Sequence, residues 1–199
     1  MTATTTGLPA APTVRGRNIL VGTGFALAGV IMYFAGLFGV YFQQRAQFRG
    51  AGQPWIPDSA RIELTPPGMI VWTLIIGCAV VQWAVYSIAR DDRPHALLAI
   101  GTALAMGAMI IVQSGWQFVQ MGLVADEGPS TAATLIYTLS ISFMIMVIVG
   151  MIFLALMGFR ALAGQYSSNQ TDGIVASAIW WYAMTGIYFV LWIGVFIAK

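Results

Sequence analysis

The supply of reactive side chains limits the chemistry of this chain, which contains a single histidine and a single cysteine. His95 follows the charged segment Arg90–Arg93, and Cys78 lies inside a long uncharged stretch. A bis-histidine haem, a histidine copper centre and a zinc-bound water each require more imidazole ligands than one. We therefore expect the chain to hold no metal or haem of its own. A nucleophile, a base and an orienting group cannot be assembled either, so a soluble-type enzyme is the weakest option.

Charged side chains are confined to the tails and connectors, and they leave five long uncharged stretches. These are Asn18–Gln44, Leu64–Ala89, Pro94–Ala125, Gly128–Phe159 and Gly173–Ala198. A helix needs about 20 apolar residues to cross the hydrocarbon layer of a membrane. Because 59% of the chain is hydrophobic and 8% is charged, a soluble domain is implausible. The sequence predicts an all-α integral membrane bundle of five transmembrane helices.

We place these helices at about residues 18–44, 66–89, 95–123, 130–160 and 173–198, in one domain that covers residues 18–199. Residues 1–17 are rich in Thr, Ala and Pro and have no apolar core, so they are predicted to form a disordered tail rather than a signal peptide.

Five spans place the two termini on opposite sides of the membrane. The side that carries the N-terminus holds five basic residues in its tail and connectors, whereas the opposite side holds four. The five are Arg15, Arg17, Arg90, Arg93 and Arg160, and the four are Arg45, Arg49, Arg61 and Lys199. Basic connectors favour the cytoplasmic side. The sequence therefore predicts a cytoplasmic N-terminus, with the C-terminus on the opposite side.

The polar side chains inside the spans are amides and hydroxyls, and the densest group is the segment Gln113–Gln117. Such groups usually form hydrogen bonds between helices, which contribute about 0.6 kcal/mol each. We favour that structural role over a role in substrate or proton transfer.

The fourth span carries four methionines, Met144, Met146, Met151 and Met157. Without a nearby His or Cys, these are predicted to pack rather than to bind copper.

Two spans carry a face of small residues, which lets helix backbones approach closely. The first span has Gly22, Ala26, Gly29 and Gly36, and the third has Gly101, Ala105, Ala108 and Gly115. The last span aligns larger side chains along one stripe: Trp181, Thr185, Tyr188, Trp192 and Phe196. An aromatic stripe of this kind is more typical of a lipid or subunit contact than of a cofactor site.

Three groups of segments form a recognisable pattern: Tyr33–Phe42 and Arg45–Gln47 with Trp55 and Pro57 in the first helix and loop, Ser114–Phe118 in the third helix, and Trp181-Tyr182 in the last. This pattern resembles cytochrome c oxidase subunit III of the five-helix bacterial type. Helix number, helix order and connector lengths agree over nearly the whole chain. The family also implies a cytoplasmic N-terminus.

The chain departs from the family wherever the family carries ionisable residues inside its helices. In our alignment, neutral side chains occupy these positions: Val30 and Gln117 for two glutamates, Phe143 and Met146 for paired histidines, and Tyr182 and Thr185 for a histidine and an aspartate. The chain therefore shares the helical scaffold of the family but lacks these ionisable groups.

The resemblance implies a non-catalytic accessory subunit of a haem–copper terminal oxidase, which reduces oxygen and translocates protons in the plasma membrane of a bacterium. Catalytic subunit I would hold the haem and copper, while this chain would stabilise it and hold phospholipid. The implied partners are subunit I, other respiratory-complex subunits and membrane lipid, and no nucleic acid. The residues expected to contact subunits or lipid are Gly22, Ala26, Gly29, Gly36, Gly101, Ala105, Ala108, Gln113, Ser114, Gln117, Trp181, Tyr188 and Trp192.

Two alternatives remain open from the sequence. One is an accessory subunit of another respiratory membrane complex, such as a nitric oxide reductase. The other is a small permease that works alone, although five spans do not divide into equal halves and the helix interiors lack proline.

Overall fold

The computed structural model of the protein describes residues 18–56, 63–121, 130–166 and 170–198. These residues form α1 (Asn18–Gly50), α2 (Thr65–Ala89), α3 (Arg93–Gln120), α4 (Thr131–Leu162) and α5 (Asp172–Leu191), and α5 continues as a π-helix over Trp192–Ile197. All five helices are long and apolar enough to cross a membrane, which confirms the predicted five-helix bundle. The predicted tail, residues 1–17, lies outside the described residues.

Helix α1 extends beyond the uncharged stretch from which it was predicted. We expected it to end at Gln44, where the charged connector begins, but it continues to Gly50. The Arg45 side chain is only 8% exposed, and its guanidinium donates a hydrogen bond to the carbonyl oxygen of Gly194 at 3.2 Å. Arginine is a good helix former, so the first charged residue of the connector does not end the helix. Helix α3 ends earlier than predicted, at Gln120.

Local sequence signals explain where three of the helices begin. Helix α2 starts with Pro66 and Pro67, whose fixed backbone suits a first helical turn. Asp92 caps α3 by accepting a hydrogen bond from the backbone N–H of His95. Ser130 caps α4 in the same way, with the N–H of Ala133 as donor at 3.1 Å. Such caps satisfy N–H groups that have no partner inside the helix.

The helices pack around α5. Helices α2, α3, α4 and α5 form a ring in that order, since each packs against the next and α5 also packs against α2. Helix α1 lies outside this ring, against α4 and α5. Of the most hydrophobic stretch of α5, 56% is buried, compared with 22% for α1. The central element of the bundle is therefore its last helix.

Two tryptophans of α5 fit against glycines of the neighbouring helices. A Cβ atom at Gly77 of α2 would lie 2.5 Å from the ring of Trp181, and one at Gly150 of α4 would lie 2.7 Å from the ring of Trp180. Each indole N–H donates to a backbone carbonyl at 3.3 Å, Trp181 to Leu74 and Trp180 to Met146. The absence of side chains at these two positions lets α5 approach α2 and α4 closely.

Replacing Gly77 with alanine tests this fit. The added methyl group overlaps the Trp181 ring, and overpacking of this kind costs about 1–3 kcal/mol. We expect Gly77→Ala to lower the free energy of unfolding in mixed micelles by that amount. Gly68→Ala is the matched control on the same helix, because nothing lies within 4 Å of a Cβ atom there. Equal stability of the two variants would contradict the packing described here.

Candidate functional site

The single histidine takes part in a surface contact at the start of α3. The Nδ1 atom of His95 lies 2.8 Å from a carboxylate oxygen of Asp92, and both side chains are exposed. The hydrogen bond from His95 holds the pKa of the Asp92 carboxyl below its usual range. The imidazole therefore supports the cap of α3. Among the described residues, no group of three or more His, Cys, Asp or Glu side chains could hold a metal ion.

The predicted polar cluster of α3 lies inside the bundle. Gln113, Ser114 and Gln117 are each 5% exposed or less. The hydroxyl of Thr73 on α2 donates to the side-chain oxygen of Gln113 at 3.3 Å, which confirms an interhelical hydrogen bond for this glutamine. Ser114 donates to the carbonyl oxygen of Ile110 in its own helix. Within this chain the bundle encloses all three side chains, and their contact with a subunit or lipid stays a prediction.

The aromatic stripe of α5 also faces the interior rather than the outside. Trp181 and Tyr188 are 2% and 3% exposed. The Tyr188 ring lies 4.6 Å from the ring of Phe143, and its hydroxyl donates to the carbonyl oxygen of Pro67. Both side chains therefore pack inside the bundle of this chain, and their contact with lipid or a subunit stays a prediction. Trp192 is only partly buried, and its outer contact stays a prediction.

The two small-residue faces lie on the outer surface of the bundle. Gly22, Ala26, Gly29 and Gly36 of α1 are exposed, as are Gly101, Ala105 and Ala108 of α3. A Cβ atom at any of these glycines would have nothing within 4 Å. These faces do not hold the bundle together, so their contact with a subunit or lipid stays a prediction.

An apolar groove separates the first part of α1 from α4. It has a volume of about 430 Å³. The lining residues are Ile19, Gly22, Thr23 and Ala26 of α1, Val149, Ile152, Phe153 and Leu156 of α4, and Trp180 of α5. Two predicted contact residues, Gly22 and Ala26, thus lie in one concave site. Sequence reasoning did not find the α4 wall, because it depends on contacts between helices far apart in the chain.

These features define the class of the protein. It is a multi-pass helical membrane protein in which the Gln113 amide oxygen and the Trp180 and Trp181 indole N–H groups bond to neighbouring helices of the same bundle. The family model of cytochrome c oxidase subunit III matches residues 2–198, and the chain belongs to that family.

Named relatives agree with this family. The chain is 28% identical over 185 residues to the probable cytochrome c oxidase subunit 3 of Mycobacterium leprae, a match that covers 88% of this chain and 90% of the relative. It is 24% identical over 183 residues to the Nocardia farcinica protein of the same name, covering 92% and 87%. Cytochrome c oxidase subunit 3 of Strongylocentrotus purpuratus is 24% identical over 177 residues, covering 84% of this chain and 65% of that protein.

Most of the neutral residues at the aligned ionisable positions lie in the core. Gln117, Phe143, Met146 and Thr185 are all less than a tenth exposed. The Thr185 hydroxyl lies 3.2 Å from the sulfur of Cys78 and donates to the carbonyl oxygen of Trp181. Unpaired charges are costly in such surroundings, so neutral side chains suit this core.

Gln117→Leu tests whether the buried glutamine stabilises the structure or takes part in proton transfer. Gln117 is buried inside the bundle, and a hydrogen bond between polar side chains of membrane helices contributes about 0.6 kcal/mol on average. We expect the substitution to lower stability or recovery of the assembled protein, while the pH profile of oxygen reduction keeps its apparent pKa values. Gln120→Leu is the control, because Gln120 is exposed on the same helix. A shifted pKa of proton uptake in Gln117→Leu alone would contradict a structural role.

Proposed function

We propose that this chain is a non-catalytic accessory subunit of a haem–copper terminal oxidase in aerobic electron transport. Membership of the subunit III family over nearly the whole chain is the observation that carries this proposal. The side-chain inventory supports it, because one histidine and one cysteine cannot supply the ligands of haem and copper centres. A partner, catalytic subunit I, therefore holds the redox centres, and this chain stabilises it.

The location that fits this function is the plasma membrane of a bacterium. Two of the relatives named above belong to bacteria, Mycobacterium leprae and Nocardia farcinica. The distribution of arginines supports a cytoplasmic N-terminus and a C-terminus on the opposite side. The groove between α1 and α4 then opens in the cytoplasmic half of the bundle, since it is lined by the first turns of α1.

Phospholipid is the ligand that suits this groove. Its lining carries apolar side chains and a single hydroxyl, that of Thr23. An acyl chain can therefore pack closely against it without covering many polar groups. In a membrane, a groove gains no hydrophobic driving force over bulk lipid, and shape-dependent dispersion contacts determine retention. Gly22 and Ala26 leave room for such a chain against the wall formed by α4.

Purification through a tag on this chain tests the proposed function. In mild detergent, we expect haem-containing and copper-containing oxidase subunits to elute together with it, as identified by visible haem spectra and mass spectrometry. The expected stoichiometry is one copy of this chain for each catalytic subunit. Elution of the chain without haem or copper proteins would overturn the proposal. Co-elution with a nitric oxide reductase would identify the alternative respiratory complex instead.

Filling the groove tests lipid retention. Because nothing lies within 4 Å of a Cβ atom at Gly22, leucine fits there and occupies acyl-chain space. The loss of about ten carbon–carbon contacts of about 0.1–0.2 kcal/mol each weakens lipid retention about tenfold. Native mass spectrometry of bound phospholipid measures this effect. The matched control is Gly24→Leu, which is equally open but lies outside the groove. Equal lipid content in both variants would exclude the groove as the site.

A further inference from the structure

Helix α5 is covered on three sides, and its fourth side is open. Its neighbours are α1, α2 and α4, whereas α1 and α2 do not pack closely against each other in the described part of the chain. The residues left exposed recur every three or four positions, so they share one side of the helix. We call this side the open face of α5: Ile179, Tyr182, Gly186, Val190, Ile193 and Ile197.

A polar pair borders the open face at hydrocarbon depth. The Tyr182 hydroxyl donates a hydrogen bond to the side-chain oxygen of Gln82 on α2, and both residues are exposed. Tyr182 lies about 15 Å along α5 from Asp172, and Gln82 lies about 10 Å from the end of α2, at a rise of about 1.5 Å per residue. Since the hydrocarbon layer is about 30 Å thick, both positions fall within it.

The amide nitrogen of Gln82 has two N–H donors that the described part of the chain does not engage. The side-chain oxygen is used by Tyr182, and no hydrogen bond of the described residues reaches the nitrogen. Lipid tails contain no acceptor, so donors left in hydrocarbon are costly. Polar side chains within membrane helices therefore usually face another helix. We therefore expect this amide to donate a hydrogen bond to an acceptor outside the chain.

We propose that the open face of α5, together with Gln82, docks one transmembrane helix of a neighbouring oxidase subunit. That helix presents a carbonyl or hydroxyl oxygen to the Gln82 amide. The proposal rests on the proposed function, because it takes the partner from the oxidase.

The shape of the face fits a helix rather than only lipid. Gly186 lies near the middle of the open face, and a Cβ atom there would have nothing within 4 Å. A glycine at this position lets a partner backbone approach closely, with α1 and α2 on either side. The face therefore offers a partner helix both close backbone contact and a directed hydrogen bond. A lipid tail could make the close contact but could not accept the hydrogen bond. The small-residue faces of α1 and α3 lack an exposed amide at this depth in the described residues.

Site-specific photo-crosslinking tests the docking surface. A photoreactive amino acid is placed at Val190 on the open face, or at Ile145 on α4 as a control, with side chains that are 48% and 55% exposed. In native membranes, we expect Val190 to give a covalent adduct with another oxidase subunit and Ile145 to give none. The proposal is overturned if Val190 yields only lipid adducts, only dimers of this chain, or no more subunit adduct than Ile145.

The same preparations show whether a negative result contradicts the docking surface or the proposed function. If the tagged chain carries the haem and copper subunits but Val190 gives no subunit adduct, the docking surface is wrong and the proposed function stands. If no oxidase subunit accompanies the chain, the proposed function itself fails.

Two substitutions separate the role of Gln82 toward a partner from its role within the chain. Gln82→Leu removes both hydrogen bonds of the side chain, whereas Tyr182→Phe removes only the bond inside the chain. We expect Gln82→Leu to weaken retention of this subunit in a detergent titration about threefold relative to Tyr182→Phe. Equal retention of the two variants would show that Gln82 acts only within the chain and would overturn the proposal.

Discussion

The close fit of two tryptophan rings against two glycines determines the architecture of this bundle. Gly77 and Gly150 leave space on α2 and α4 for Trp181 and Trp180, and both indole N–H groups bond to main-chain carbonyls. In a membrane, apolar contact with lipid competes equally with apolar contact between helices, so only close packing and directed bonds favour association. This fit places the last helix at the centre. The groove beside α4 and the open face of α5 both follow from the way α1 then packs.

Much of the fold could be predicted from the sequence, because hydrophobic length and the positions of charges determine where helices cross a membrane. The side of each helix that faces its neighbours was harder to predict. Trp181 and Tyr188 belong to an aromatic stripe that looks the same whether it contacts lipid or another helix. Only the register of α5 against α2 and α4 distinguishes the two cases. The end of α1 was missed for a different reason, because a charged residue marks the edge of an apolar stretch but does not by itself end a helix.

The core explains how neutral side chains can occupy these depths of the bundle. The side-chain oxygen of Gln113 accepts from the Thr73 hydroxyl, and the Thr185 hydroxyl bonds to a carbonyl oxygen and lies beside the Cys78 thiol. The bond between Gln113 and Thr73 does not change with pH over the physiological range, because neither an amide nor a hydroxyl titrates there. A scaffold held by such bonds keeps its packing over that pH range.

The contact between Arg45 and Gly194 also concerns the order in which the protein is made. The arginine lies near the end of the first helix, and its acceptor lies in the π-helical turn at the end of the last. During synthesis, four further helices must enter the membrane before that carbonyl exists. Until the last helix has been made, α1 therefore lies in the membrane without this contact.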